Sequence, residues 1–176
     1  MQVCPKHLVP IPEQDILNTT KRITMDRCKY AAELFVGGCN CSQAVFAAFA
    51  DVMNMDRDTA LRLSSSFGGG MGRMREVCGA VSGMFMVAGF LYGTTDKDGE
   101  AEKAAHYALI QEMARRFKDK NNGTIICREL LGNLAAAKST SPIPDKRCPE
   151  YYNTRPCLKF VLDAVEIMEE IIKEHN

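Results

Sequence analysis

Apolar residues recur along most of the chain at intervals of three, four and seven positions, the spacing of helices that bury one face. In residues 11–35 the positions Ile16, Ile23, Tyr30, Ala31 and Leu34 fall on one side, and Gly37-Gly38 follows as a stop. Glycine ends helices because it takes the left-handed C-cap conformation without a Cβ penalty. A second helix is predicted from near Asn40, a good N-cap, to Met53. A third follows Asp56 and runs to Ser66. The next residues hold four glycines in five positions, Gly68, Gly69, Gly70 and Gly72, which helix interiors do not tolerate. A fourth helix is predicted over 76–93, a long polar fifth over 96–118 and a short sixth over 124–132. Residues 138–156 carry four prolines and read as a loop. The last helix, 155–174, has the clearest apolar stripe: Leu158, Val161, Leu162, Val165, Met168 and Ile172.

β-branched runs are absent, and Ile125-Ile126 is too short for a strand. The expectation is therefore an all-α bundle of about seven helices, one domain spanning 1–176, with no internal repeat. The longest uncharged stretch lies between Val77 and Asp96 but breaks at Gly93-Thr94-Thr95, so it reads as a buried core helix rather than a membrane span.

Composition narrows the function. Apolar residues make up 46% of the 176, enough for a core without covalent staples. Lys plus Arg and Asp plus Glu both total 22, a neutral balance that argues against nucleic acid as an obligate partner. Residues 1–12 do not read as a signal peptide, so the expected compartment is the cytoplasm. Permanent disulfides are not expected there, and the eight cysteines need another reason.

Four of those cysteines share one predicted position, the first turn of a helix. Cys41 follows Asn40, Cys78 follows Glu76, Cys127 follows Thr124 and Cys157 follows Thr154, with Pro156 in the first turn. Unpaired N–H groups and the positive end of the helix dipole favour a thiolate there. Thiolates are redox nucleophiles and ligands of soft metals. Cys39 stands two residues from Cys41 and is a further candidate ligand or resolving thiol. Cys4, Cys28 and Cys148 read as core or surface residues. Gly79 and Gly83, four apart after Cys78, call for close approach of a partner helix or of a cofactor; Gly68, Gly69 and Gly70 are placed with them as cofactor-binding positions. The turn, followed by Arg73 and Arg75, could also bind an anion, although it lacks the ending of a P-loop.

The segments Gly38-Cys39-Asn40-Cys41-Ser42-Gln43-Ala44-Val45, Phe67-Gly68-Gly69-Gly70-Met71-Gly72, Cys78-Gly79-Ala80-Val81-Ser82-Gly83, Cys127-Arg128-Glu129-Leu130-Leu131-Gly132 and Cys157 together resemble the C_GCAxxG_C_C family of redox-active proteins. The resemblance covers about residues 28–176. It implies that the family cysteines are Cys41, Cys78, Cys127 and Cys157. More distantly, the pattern is similar to the cysteine-bearing region of split-Soret cytochromes, where an iron–sulfur site accompanies haem; this chain has no Cys-x-x-Cys-His motif.

Three readings stand at this point. The first is an iron–sulfur cluster on Cys41, Cys78, Cys127 and Cys157, for electron transfer or redox sensing, with zinc as a weaker version. The second is a metal-free dithiol/disulfide oxidoreductase, with Cys39 and Cys41 as one candidate pair. The third is a helical interaction module with structural cysteines. A redox partner of unknown identity follows from the first two, and the glycines and the last helix's stripe suit a homodimer. The histidines His7, His106 and His175 are dispersed and form no evident Cys–His dyad.

Overall fold

The computed structural model describes residues 26–175. Among these, the chain forms α1 (Arg27–Val36), α2 (Cys41–Ala47), α3 (Arg57–Ser64), a single 3-10 turn (Ser65–Phe67), α4 (Gly79–Tyr92), α5 (Glu100–Lys120), α6 (Cys127–Leu131), α7 (Ala135–Lys138), α8 (Pro149–Thr154) and α9 (Cys157–Glu174). The described residues contain no strand, so the class is all-α as expected. The two helices beyond the expected seven are the short α7 and α8. The latter sits inside the stretch read as a loop, started by Pro149, whose fixed φ suits a first helical position.

Boundaries follow their caps. Asp26 accepts a hydrogen bond from the Lys29 amide and caps α1 at Arg27. The earlier residues of that expected helix lie outside the described residues. Asn40 and Gln43 form a full capping box at the start of α2. Asp56 caps α3 through the Thr59 amide. α2 stops at Ala47, and residues 48–54 continue as turns rather than helix to Met53. α4 starts at Gly79, three residues later than Glu76 suggested, because the chain around Val77 pairs with residues 125–128.

α4 packs against α2, and α9 packs across α1, α2, α4 and α5. The core between them holds Phe35, Phe49, Met84, Met113, Phe117, Ile167, Met168 and Ile171, all fully buried. Each such side chain contributes roughly 1.5–3 kcal/mol by leaving water. Close packing of α4 on α2 depends on glycine: a Cβ at Gly83 would lie 2.8 Å from the Ser42 carbonyl oxygen, and one at Gly79 would lie 2.9 Å from that of Phe67. Ion pairs tie α5 to α9, Arg116 to Glu174 at 2.8 Å and Lys120 to Glu166 at 2.9 Å. The stretch between Val77 and Asp96 forms the buried helix expected, and among the described residues no helix is long and apolar enough to cross a membrane.

Candidate functional site

Three of the four singled-out cysteines are the first residues of their helices, Cys41 of α2, Cys127 of α6 and Cys157 of α9, while Cys78 is the N-cap of α4. These helix starts meet at one end of the bundle. α2 and α4 are brought together by the glycine contacts. α4 and α6 are joined by a short antiparallel pairing of Val77 with Ile126. There the Cys78 amide donates to the Ile125 carbonyl at 2.8 Å and the Cys127 amide to the Glu76 carbonyl at 2.6 Å. The pairing sets two cysteines 49 positions apart in sequence beside each other.

The glycine turn wraps this point. Gly69, Gly70, Met71, Gly72, Arg73 and Arg75 all take positive φ, between +57° and +72°. Left-handed backbone costs a non-glycine residue about 1–2 kcal/mol, and three of these six residues are not glycine. The turn aims both of its arginines. Arg73 donates to the Ser141 carbonyl and to Asp145, at 2.6 and 2.8 Å. Arg75, buried, donates from Nε to the Ser139 carbonyl at 2.9 Å and from Nη1 to the Gly69 carbonyl at 3.4 Å.

The result is a cavity of about 300 Å³ lined by Cys41, Cys78, Cys127 and Cys157, by Gly68, Gly69, Gly72 and Gly79, and by residues of the proline-rich segment. Gly70 and Gly83 are not on its wall. Gly70 lies against Cys127, where a Cβ would come within 2.6 Å of that residue's own, and Gly83 lies against α2.

Within the cavity the thiols are unequal. The neighbouring Cys157 thiol, the Arg147 charge and the Gly69 amide bring the Cys41 pKa down to about 7 against the effect of burial. Cys157 is pushed far up by its neighbour Cys41 and by burial. Cys78 and Cys127 are also raised, chiefly by burial and then by the charge of Cys41. Of the four, Cys41 is thus the one whose ionisation is favoured. Cys39 is half-buried and not on the cavity wall, and burial raises it, whereas Cys41 and Cys157 both line the cavity. Cys28 is raised to about 11 by burial and nearby carboxylates, and like Cys148 it lies off the cavity. Cys4 lies outside the described residues. Among those residues, no group of three or more His, Cys, Asp or Glu is arranged to hold a metal ion.

The family model of C_GCAxxG_C_C, "Putative redox-active protein", matches residues 39–171. The chain belongs to this family. Its motif acquires a physical meaning here, because Cys78 is the N-cap of α4, Gly83 admits the α2 backbone, and Gly79 admits the Cys41 side chain and the Phe67 carbonyl. The match also begins at Cys39 and ends past Cys157, so all four cavity cysteines lie within it. No curated protein and no solved structure matches the chain.

The cavity wall also holds residues that sequence reading passed over: Asp145, Arg147, Tyr151 and Arg155. Asp145 bridges Arg73 and Arg155, the latter at 3.2 Å, and these cations hold its carboxyl below the usual range. Arg147 lies over the Tyr151 and Phe35 rings at 4.4 and 5.1 Å and donates to the Cys39 carbonyl at 3.3 Å. All four fall within the segment read as a loop. The signal for them was its density of Arg and Tyr, set between Cys127 and Cys157, both already placed at the site.

Proposed function

We propose that the chain is a dithiol/disulfide redox protein in which Cys41 is the attacking thiolate and Cys157 the resolving thiol. The single observation that carries this reading is that Cys41 and Cys157, each the first residue of its helix, open onto one cavity wall with Arg147, where the Cys41 pKa is lowered to about 7. Disulfide exchange needs a thiolate with a pKa near ambient pH and a second thiol within reach. Cys41 attacks one sulfur of a substrate disulfide, whose other sulfur leaves with the electron pair. Cys157, once deprotonated, then attacks Cys41, releasing the second substrate thiol and leaving an internal disulfide. Two electrons pass to the substrate, and two protons, one from Cys157 and one from water, end on its thiols.

The test is a redox titration of the purified protein with differential alkylation and peptide mapping. A reversible two-electron couple located at Cys41–Cys157 is the expected result. Absence of such a couple, or pairing of other cysteines, overturns the reading.

A second reading is supported by a different observation, the placement of all four thiols around one cavity together with several arginines. Cys41, Cys78, Cys127 and Cys157 would hold an iron–sulfur cluster, which would supply one-electron transfer. A cluster spreads its ligands over several irons, so its thiolates stand farther apart than the ligands of one ion. Iron and acid-labile sulfide in protein purified without oxygen, with loss of both on replacing Cys78 or Cys127 by Ser, favours this reading; a colourless, iron-free protein removes it. Under either reading the protein is an oxidoreductase or electron carrier, and the cytoplasm is the compartment that keeps these thiols reduced.

A further inference from the structure

The cavity is strongly cationic. Its wall carries Arg73, Arg75, Arg147 and Arg155 against one carboxylate, Asp145. Asp145 is engaged by Arg73 and Arg155. Among the described residues the other two arginines have no carboxylate partner, and each keeps a donor in reserve. Arg75 is only 3% exposed and is fixed by two carbonyls, and among the described residues its Nη2 has no hydrogen-bond partner. Arg147 is fixed by the Cys39 carbonyl and by aromatic rings, and its buried Nη1 also has none. A buried donor on a charged group is costly to leave unmade. Two such donors on one wall, held rigid by their other contacts, describe a preformed acceptor site for oxygen anions, which guanidinium groups bind best.

We propose that this cavity binds a small anion through an oxyanion or carboxylate group held by Arg75 and Arg147 beside the thiols. The inference deepens the thiol reading, on which it rests for its chemistry: the molecule that meets Cys41 is a small anionic one, not a protein disulfide. The space of about 300 Å³ suits such a molecule.

The experiment is calorimetric titration of the reduced protein with inorganic phosphate and, separately, with formate, alongside alkylation of Cys41 by iodoacetate and by neutral iodoacetamide. Saturable binding of one or both anions is expected. The stronger of the two tells oxyanion from carboxylate. Arg75→Gln and Arg147→Gln each weaken it at least about tenfold, the effect of losing one charge-assisted hydrogen bond. Arg147→Lys, which keeps the charge but not the fork, stays weakened and serves if Arg75→Gln does not fold. Cys41→Ser leaves anion binding in place. The iodoacetate-to-iodoacetamide rate ratio at Cys41 exceeds that of an uncharged cysteine peptide, and phosphate or formate suppresses the excess.

Absence of saturable binding, with a rate ratio equal to the peptide's, overturns the anion site and leaves the thiol reading standing. Anion binding with Cys41 inert to iodoacetamide at neutral pH overturns the thiol reading alone. Protein that carries iron and labile sulfide as isolated and binds neither anion assigns the cations to a cluster and also overturns the proposal.

Discussion

Cys41 and Cys157, each the first residue of its helix, open onto the same cavity. The two cysteines are 116 positions apart in sequence. The Cys157 thiol, Arg147 and the Gly69 amide all favour the charged form of Cys41.

Alkylation of Cys41 should therefore follow an ionisation near pH 7 rather than near the ordinary thiol value of 9.0. The thiolate is lost as pH falls through that value, so the rate drops on the acid side and levels off above it. Replacing Cys157 by Ala removes the largest stabilising contact and should move the midpoint upward. Iodoacetamide rates from pH 5 to 9, resolved by peptide mapping, check both statements; an unmoved midpoint in Cys157→Ala removes Cys157 as the cause.

Cys78 and Cys127 should behave in the opposite way. Both are buried and raised, so at neutral pH they remain thiols and react slowly in the native protein. Unfolding in guanidinium should release both to ordinary reactivity. Mass spectrometry after a short native pulse of iodoacetamide would find Cys41 labelled and these two unlabelled. Equal labelling of the three would show that the cavity does not separate them.

Gly83→Ala should lower stability by about 1–3 kcal/mol, the usual cost of overpacking a tight contact. The added methyl meets the Ser42 carbonyl oxygen at 2.8 Å and the Val45 side chain at 3.1 Å, and α2 must shift. A thermal melt shows the loss as a fall of roughly 2–4 °C per kcal/mol for a domain of this size. Gly89→Ala is the control on the same helix, since a Cβ there meets nothing within 4 Å.

Asn40→Ala should cost about 1–2 kcal/mol and disturb Cys41 at the same time. The Asn40 side chain accepts from the Gln43 amide and donates to the Ser65 carbonyl, at 3.0 and 2.9 Å, so it anchors the start of α2 to the chain leading into the glycine turn. Denaturant unfolding gives the first effect, and the iodoacetamide pH profile gives the second. Asn40→Asp, which keeps the acceptor, should recover most of the stability but not the contact to Ser65.

The sequence alone determined the helical class, most helix starts and the four cysteines, because these are local properties. Asn40 and Asp56 mark helix starts by their own hydrogen-bonding chemistry, and Gly79 and Gly83 report close approach simply by lacking a side chain. Cys41, Cys78, Cys127 and Cys157 stand out by their offset from such caps, and their family pattern sharpens that reading. Tertiary structure decided which thiols share the cavity. Cys39 is the sequence neighbour of Cys41, yet Cys157 and not Cys39 lies on the cavity wall with it, since the packing of α9 on α2, not chain proximity, brings them to one place. It also placed the start of α4 at Gly79 in place of Glu76, because the pairing with residues 125–128 takes up the residues that local capping would have made helical. And it placed Arg147, Tyr151 and Arg155 on the cavity wall. No periodicity foretold that, because a proline-rich segment takes its path from the surface it covers: here the Arg73–Asp145 ion pair and the Cys39 carbonyl hold it over the four cysteines.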